Sequence, residues 1–368
     1  MKQLNRSGVP VVLVSGVDAT AMLGTAISLQ VGLPGSVGVR HTIDVERQIL
    51  TRVVSDVMGL IEREEISLDH ACVTCAVRED IIPTLERLAK TGRWTSIVAC
   101  LPVSAEATQV CRVLAWAPSK ARHVNVAAVV TALDGATVAG DLLGDDLLDD
   151  RGIATSREDR RGVAEVACAM VEYADAISLS EPPGAKEAAL VEALARPRVP
   201  IVDDASLIDA PGLASCANRH WAAEAWVADV RRGGLPPLPG DGVWRLDLCS
   251  DRAFDPYRFQ SELAVLGGGP RRSRGCFWLP TRPGTVCVWD GAGGQASIGA
   301  GGAWASDEPP LTRIVVTGID DAHHERAHIE DAFRRCLVTD EELATRGHIW
   351  EESWDGLEPW LGPIDRVA

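Results

Sequence analysis

The sequence predicts an α/β protein in which helices cover a mostly parallel sheet and a smaller C-terminal α+β domain follows. Two observations support this prediction. Short apolar runs rich in β-branched residues alternate with helical patterns over the first part of the chain, and this alternation is typical of βαβ units around a parallel sheet. Past residue 242 the pattern changes to short strands, which indicates a second domain.

The first strand is expected at Val11–Val14, because this run is apolar and ends at a Ser-Gly pair typical of a loop. The other predicted strands of the parallel sheet are Ser96–Leu101, Val126–Leu133, Ala176–Leu179 and Val199–Val202. The predicted helices are Val45–Glu62, Asp80–Thr91, Ala105–Ala115, Asp159–Asp175 and Ala185–Ala195.

A proline- and glycine-rich stretch, RRGGLPPLPGDG at 231–242, is typical of a linker. The sequence therefore predicts an N-terminal domain at 1–230, a C-terminal domain at 243–345 and an acidic, tryptophan-containing tail at 346–368. The elements expected in the C-terminal domain are strands at Val243–Leu248, Gly275–Leu279, Thr285–Trp289 and Arg313–Thr317 and a helix at about His323–Leu337.

Charge and hydropathy exclude two classes of function. The net charge of −16 argues against a nucleic-acid backbone as the general partner, which requires a cationic surface. No apolar run reaches the roughly 18–20 residues that span a bilayer, so we expect a cytoplasmic protein. The ten cysteines lie mostly inside apolar runs, which fits reduced packing thiols better than a disulfide framework.

One dense basic cluster departs from the acidic average. Arg271, Arg272 and Arg274 precede the aromatic stretch CFWLPTRP. Arginines beside aromatic rings can contact RNA or an acidic protein, although such a run is more often a solvated loop.

The segment after the first predicted strand lies where a phosphate-binding loop would occur. That loop requires G-x-x-x-x-G-K-[ST], because glycines let backbone N–H groups face phosphate, the lysine neutralises it and the hydroxyl holds magnesium. Gly16 is present, but Ala21, Met22 and Leu23 occupy the next three required positions, and Asp18 adds a negative charge. Taken alone, this window predicts a strand–loop–helix unit and no nucleotide site.

Cys72-Val-Thr-Cys75 has the spacing of two zinc ligands on one turn. The nearest further donors in the sequence are His70, Glu79, His41, Asp44 and Glu46. Spacing alone leaves three interpretations open: a metal site, a redox pair or two buried, inert thiols.

His324-Glu-Arg-Ala-His328 matches the HExxH signature of zinc proteases. The surrounding segment is charged on all sides, whereas such a site usually lies on a largely buried helix. A solvated helix face is the better interpretation.

The chain as a whole resembles the CobW-type GTPase and metallochaperone family. PVVLVSG from Pro10 is similar to the family's opening strand. HACVTCAVRED from His70 is similar to the family's cysteine motif GCxCC-x-x-R-x-D, here called the knuckle. AAVVTALDG, the DDRGIATSREDRRG segment, RRSRGCFWLPTRP, RIVVTGID and CLVTDEEL resemble further family blocks in the same order. The resemblance implies a P-loop-NTPase-like N-terminal domain and a CobW-type C-terminal domain.

The departures from the family lie at the nucleotide elements. Beside the altered loop at Gly16, the family's E-S/T-x-G reads CLPVSAEA from Cys100, and its guanine-reading N-K-x-D reads Ser180-Glu-Pro-Pro183. Each change removes a contact to a highly charged ligand. We therefore expect a pseudo-GTPase for which GTP is not a cofactor, with Gly16 as the remnant of the cofactor-binding loop.

The resemblance also implies zinc at the knuckle, through Cys72 and Cys75 with a third ligand such as His70 or His41. The degenerate-loop branch of the family implies a non-catalytic adaptor that brings a hibernation-promoting factor to the small ribosomal subunit under zinc limitation. Contact with rRNA would then use Arg271, Arg272 and Arg274. The alternative is a low-affinity zinc metallochaperone, with or without weak GTP hydrolysis.

Overall fold

The computed structural model describes residues 8–68, 72–216, 218–240, 242–320, 323–352 and 354–364. The chain forms two compact units. The N-terminal unit comprises the described residues of 1–141 and 146–227, and the C-terminal unit comprises 142–145 and the described residues of 228–368. The described helices include none with the length and apolar character that a membrane crossing needs.

Eight of the described strands form one sheet in the N-terminal unit, in the order β4-β3-β2-β5-β1-β6-β7-β8. The strands are β1 Val9–Gly16, β2 Ser36–Asp44, β3 Ile49–Asp56, β4 Gly59–Ser67, β5 Ser96–Cys100, β6 Val124–Leu133, β7 Ala176–Leu179 and β8 Ile201–Val202. The neighbouring strands in the order β2-β5-β1-β6-β7-β8 are parallel. The pairs β2–β3 and β3–β4 are antiparallel. The predicted mostly parallel sheet covered by helices is therefore confirmed.

The helices of this unit pack on both faces of the sheet. They are α1 Ala19–Gly32, α2 Val73–Ala76, α3 Ile82–Lys90, α4 Ala107–Trp116, α5 Val138–Leu143, α6 Val163–Tyr173, α7 Ala185–Leu194, α8 Ala210–Ser215 and α9 His220–Val227. Helix α1 covers one face through Met22 and Leu29, and α3 covers the other through Leu85. A π turn at Val77–Ile81 joins α2 to α3.

The prediction of a helix at Val45–Glu62 is wrong. This segment forms β3 and the start of β4, which pair as an antiparallel hairpin. Leu50, Arg52 and Val54 are buried, whereas the residues between them are half-exposed, so burial alternates with a period of two. The segment is rich in β-branched residues, which favour strands, and its apolar residues satisfied a helical spacing only by coincidence.

The C-terminal unit has a five-stranded antiparallel sheet in the order β12-β11-β10-β13-β9 among the described residues. Its strands are β9 Val243–Ser250, β10 Arg271–Phe277, β11 Thr285–Ala292, β12 Gln295–Ala303 and β13 Thr312–Ile319. Its helices are α10 Pro256–Gly267, α11 His323–Cys336, α12 Asp340–Glu352 and α13 Glu358–Leu361. Phe254, Phe259, Phe277 and Trp289 contact one another in its core. The predicted α+β domain is confirmed.

Part of the predicted acidic tail belongs to this core. Asp355 and Leu357 are fully buried, and Arg282 donates from Nε to Asp355 Oδ2 at 2.7 Å. The segment around Asp355 and Leu357 is therefore packed in the C-terminal unit. Asp355 can be buried there because its carboxylate is paired with Arg282.

The arginines of the basic cluster lie on a strand, so their interpretation as a solvated loop is wrong. Arg271 and Arg272 are at least 96% buried. Arg271 pairs with Glu325, Arg272 with Asp290, and Arg274 lies 3.5 Å from Asp229. These carboxylates compensate the positive charges of the three arginines for which contact with rRNA was predicted. The rRNA contact stays a prediction.

Candidate functional site

The loop between β1 and α1 ends in a side chain that caps the helix. The Asp18 side chain caps α1 by accepting a hydrogen bond from the Ala21 backbone N–H at 2.7 Å. Backbone N–H groups at a helix N-terminus are the donors that bind phosphate in a P-loop. Here the Asp18 carboxylate of this chain accepts from one of these N–H groups.

Two apolar side chains lie at the positions where a P-loop has its lysine and its hydroxyl. Met22 is buried in the core beneath α1, and Leu23 is 40% exposed. Gly16 has a packing reason of its own, since a Cβ there would lie 2.4 Å from the carbonyl oxygen of Ala132. The predicted cofactor role of Gly16 is therefore not needed to explain a glycine at this position, although that role stays untested.

The segment after β5 is also held by contacts of its own. Ser104 has a φ of +60°, which is unusual for a residue other than glycine. Its N–H donates to the Gly16 carbonyl at 2.9 Å, and its Oγ donates to the Ile153 carbonyl at 2.5 Å. These contacts join this segment to the β1–α1 loop, at the carboxyl ends of adjacent parallel strands.

A partly buried ion-pair cluster stabilises the same region. Arg161 donates to Glu106 at 2.9 Å and to Asp159 at 2.8 Å, and Thr155 Oγ1 donates to Asp159 at 2.8 Å. Burial opposes ionisation of Asp159, but these hydrogen bonds and the Arg161 charge outweigh it and hold the pKa of this carboxyl well below its usual value. Sequence reasoning missed this cluster, because Glu106, Asp159 and Arg161 were assigned to helices without regard to their pairing.

The two cysteines of the knuckle lie together at the start of α2. Cys72 is the N-cap residue, and its Sγ accepts a hydrogen bond from the Cys75 N–H at 3.3 Å. Both residues are half-exposed. The hydrogen bond with Cys72, burial and the charge of Glu79 raise the pKa of the Cys75 thiol to about 11. The pair is therefore accessible, and Cys75 carries its proton at neutral pH.

A buried network lies just beyond the cysteines on the π turn. Asp80 Oδ1 is 2.8 Å from His41 Nε2, and its Oδ2 accepts from Arg52. Burial opposes ionisation of Asp80, but His41 and Arg52 outweigh it and lower the pKa of this carboxyl. Arg52 was hidden from sequence reasoning by its place in a wrongly predicted helix.

His41 fits one requirement of a metal ligand but lacks another. Its Nδ1 is buried without a hydrogen-bond partner, while Nε2 is oriented by a carboxylate, as in metal-ligating histidines. However, the residues that the structure describes contain no group of three or more His, Cys, Asp or Glu side chains arranged to hold a metal. His70 lies outside the described residues. The thiol pair thus supplies two suitable donors, and its further ligands stay a prediction.

The other cysteines separate into two groups. Six of them are buried, in agreement with the prediction of packing thiols: Cys100, Cys111, Cys168, Cys276, Cys287 and Cys336. Cys216 and Cys249 are exposed. The described cysteines are free thiols, so no disulfide framework is present among them.

The HExxH motif lies on the exposed face of α11. His324 and His328 are both exposed, and Glu325 is paired with Arg271. The prediction of a solvated helix face is confirmed.

Known proteins share both the C-terminal domain and the full length of this chain. Residues 243–337 match the family described as the cobalamin synthesis protein cobW C-terminal domain. Zinc chaperone Rv0106 of Mycobacterium tuberculosis is 29% identical, and the alignment covers 95% of this chain and 93% of that protein. Zinc-regulated GTPase metalloprotein activator 1 of Dictyostelium discoideum is 20% identical over 81% of this chain and 70% of that protein.

Among solved structures, the Zn(II)-bound YjiA GTPase from E. coli is similar with a TM-score of 0.35 and 15% identity, covering 90% of this chain and 99% of that chain. The class defined by the fold is a mixed α/β unit followed by an antiparallel α+β domain. The C-terminal unit of this chain matches the cobW C-terminal domain, and the chain is similar over most of its length to these relatives.

Proposed function

We propose that this chain is a zinc metallochaperone that carries zinc on Cys72 and Cys75 and works without bound nucleotide. The observation that carries the proposal is the accessible thiol pair on one turn, with Cys72 Sγ and the Cys75 N–H 3.3 Å apart. One relative is named a zinc chaperone and another a zinc-regulated GTPase metalloprotein activator, which supports zinc as the cargo.

The thiol pair suits a metal that is loaded and released. Thiolates are the form that binds zinc, so zinc displaces protons from the two thiols when it binds at neutral pH. That competition weakens the binding of zinc at neutral pH. A weak, half-exposed site favours transfer to a client, whereas permanent structural sites use four ligands in a closed shell.

Independence from nucleotide is the second part of the proposal. It is supported by the Asp18 cap on α1 and by Met22 and Leu23 in place of the phosphate lysine and magnesium hydroxyl. The guanine-reading position holds Ser180, whose Oγ donates to Asp134 at 2.9 Å. These side chains leave GTP without its usual charge-neutralising contacts.

Cobalt substitution combined with a zinc competition assay tests both parts. Full-length protein should bind about one Co²⁺ with a thiolate charge-transfer absorption, and a chromophoric chelator should report the same zinc affinity with and without Mg²⁺–GTP. A Cys72→Ser, Cys75→Ser variant should lose the absorption. A Cys216→Ser, Cys249→Ser variant, which removes two exposed thiols elsewhere, should keep it.

Two results would contradict the proposal. Equal metal binding by the two double variants would dismiss the knuckle as the carrier. Micromolar GTP binding by the wild-type chain would reject nucleotide independence. The ribosome-adaptor hypothesis, with its hibernation-promoting factor and small ribosomal subunit, stays a prediction that pull-down from zinc-starved cells would test.

A further inference from the structure

An open cavity of about 730 Å³ lies in the N-terminal unit, away from both the β1–α1 loop and the cysteine pair. It is bordered by the residues that precede β7 and β8, namely Asp175, Val199 and Pro200. The strands are parallel, so the amino ends of β7 and β8 lie on the side of the sheet opposite the carboxyl end of β1. The cavity is therefore separate from the β1–α1 loop.

Three arginines line this cavity: Arg196, Arg198 and Arg219. Arg198 and Arg219 are exposed, and neither has an ion-pair partner within the part of the chain that the structure describes. In a chain whose net charge is −16, such a concentration of cations creates a local field of the opposite sign.

Arg196 forms the buried part of the cavity wall and has unused hydrogen-bonding capacity. It is 91% buried, since its exposed fraction is 9%. Its Nη2 donates to the Ala174 carbonyl and to Asp175 Oδ1, both at 2.6 Å. Its Nε makes no hydrogen bond to any described residue. A buried guanidinium N–H without an acceptor is costly, so an acceptor on a ligand that reached this N–H would relieve that cost.

The carboxylate beside Arg196 is fully engaged. Asp175 Oδ1 accepts from Arg196, while its Oδ2 accepts from Asn218 Nδ2 at 2.5 Å and from the Val129 N–H at 3.0 Å. Asp175 therefore compensates only Arg196. The cavity keeps two positive charges, on Arg198 and Arg219, for a ligand.

The backbone at Arg198 is held in an unusual conformation. Its φ is +69°, in the left-handed region that residues with a Cβ seldom adopt. Pro197 and Pro200 flank it and restrict the loop. A strained residue of this kind persists where the surrounding structure fixes it, often at ligand sites.

We propose that this cavity binds a small molecule that carries a phosphate or pyrophosphate group. Two uncompensated charges match a phosphate dianion better than a single carboxylate. The planar guanidinium donors also match the geometry of phosphate oxygens. Ser215 and Asn218, which line the same cavity, supply polar contacts for the rest of the ligand. This site is independent of the proposed zinc function.

Pyrophosphate is the probe for the test, with calorimetry on the full-length protein at an ionic strength held constant with KCl. Wild type should bind it saturably at one site. An Arg198→Gly, Arg219→Ser variant should bind at least tenfold more weakly, and glycine at 198 accepts the left-handed φ without strain. The matched control is Arg47→Ser, Arg63→Ser, which should bind like wild type. It removes two exposed arginines, one between β2 and β3 and one on β4, on the far side of the sheet from β8.

Three outcomes would overturn the proposal. The first is no saturable heat with millimolar pyrophosphate, and the second is equal affinity in the cavity variant and the control. The third is binding only to vesicles that contain phosphatidylinositol 4-phosphate, because the proposal commits to a free small molecule. Equal thermal unfolding midpoints of the two double variants would show that loss of binding does not come from loss of folding.

Discussion

The β1–α1 loop and the turn of Cys72 and Cys75 belong to the same unit, yet they differ in what occupies their ligand positions. In the loop, the Asp18 carboxylate accepts a hydrogen bond from the Ala21 N–H and Met22 is buried in the core. In the turn, both thiols are half-exposed, and Cys72 Sγ accepts a hydrogen bond from the Cys75 N–H. The comparison shows that a carboxylate of the chain engages a helix N–H at the loop, while two sulfur donors stay accessible at the turn.

The largest effect is expected at the turn. Replacing both Cys72 and Cys75 by serine should weaken zinc binding about a thousandfold, or about 4 kcal/mol. Four-ligand zinc sites are worth roughly 10–16 kcal/mol, so two thiolates supply a large part of the affinity of any site here. Competition with a chelator of known affinity measures the change.

The single variants sharpen this prediction. Either Cys72→Ser or Cys75→Ser alone should lose most of the affinity, because one thiolate on the turn is a poor zinc ligand set. A single variant that binds zinc like wild type would mean that the two sulfurs do not act as a pair.

The second effect concerns the network that supports the turn. Asp80→Asn should lower the free energy of unfolding by about 3 kcal/mol, because it weakens two charge-assisted hydrogen bonds, to His41 and to Arg52. Arg52 keeps its pairs with Glu62 and Glu64. Urea unfolding followed by circular dichroism measures the loss. Glu65→Gln, which changes an exposed carboxylate on β4, should cost less than about 0.5 kcal/mol. A similar cost for both variants would show that the buried network adds no stability.

Sequence reasoning recovered the elements whose signal is local. The strands at Val11–Val14 and Ala176–Leu179 lie within observed strands, because a short apolar β-branched run between turn residues needs no distant information. The hairpin of β3 and β4 was missed because its apolar residues fit two periods at once, and only the pairing of the strands decides between them.

The site was predictable to the same extent. The cysteine spacing placed Cys72 and Cys75 on one turn, as observed. The contact of His41 with Asp80 joins residues 39 positions apart, and no local pattern reveals it. The same holds for Arg282 and Asp355, whose pairing explains why part of an acidic segment is buried.

The third prediction tests whether the ion pairs of Arg161 with Glu106 and Asp159 contribute to the stability of the folded protein. The pKa of Asp159 is lowered in the folded protein, so its contribution to stability is complete above its unfolded value near 4 and is lost as the pH falls toward the folded value. Asp159→Asn should cost about 2 kcal/mol at pH 7 and progressively less below about pH 4. Thermal unfolding at pH 7 and pH 3 measures the difference. An unchanged cost at the two pH values would exclude the Asp159 charge as its source.

The smallest effect is expected at the cap of α1. Asp18→Ala should lower the unfolding free energy by about 1 kcal/mol, because the Ala21 N–H loses its acceptor. It should not create GTP binding, since Met22 still stands in place of a phosphate lysine. Asp209→Ala is the matched control, because Asp209 caps α8 through the Gly212 N–H at 2.9 Å. If Asp18→Ala bound Mg²⁺–GTP and Asp209→Ala did not, the cap alone would be what closes this loop. The contrast between the loop and the cysteine turn would then depend on one carboxylate.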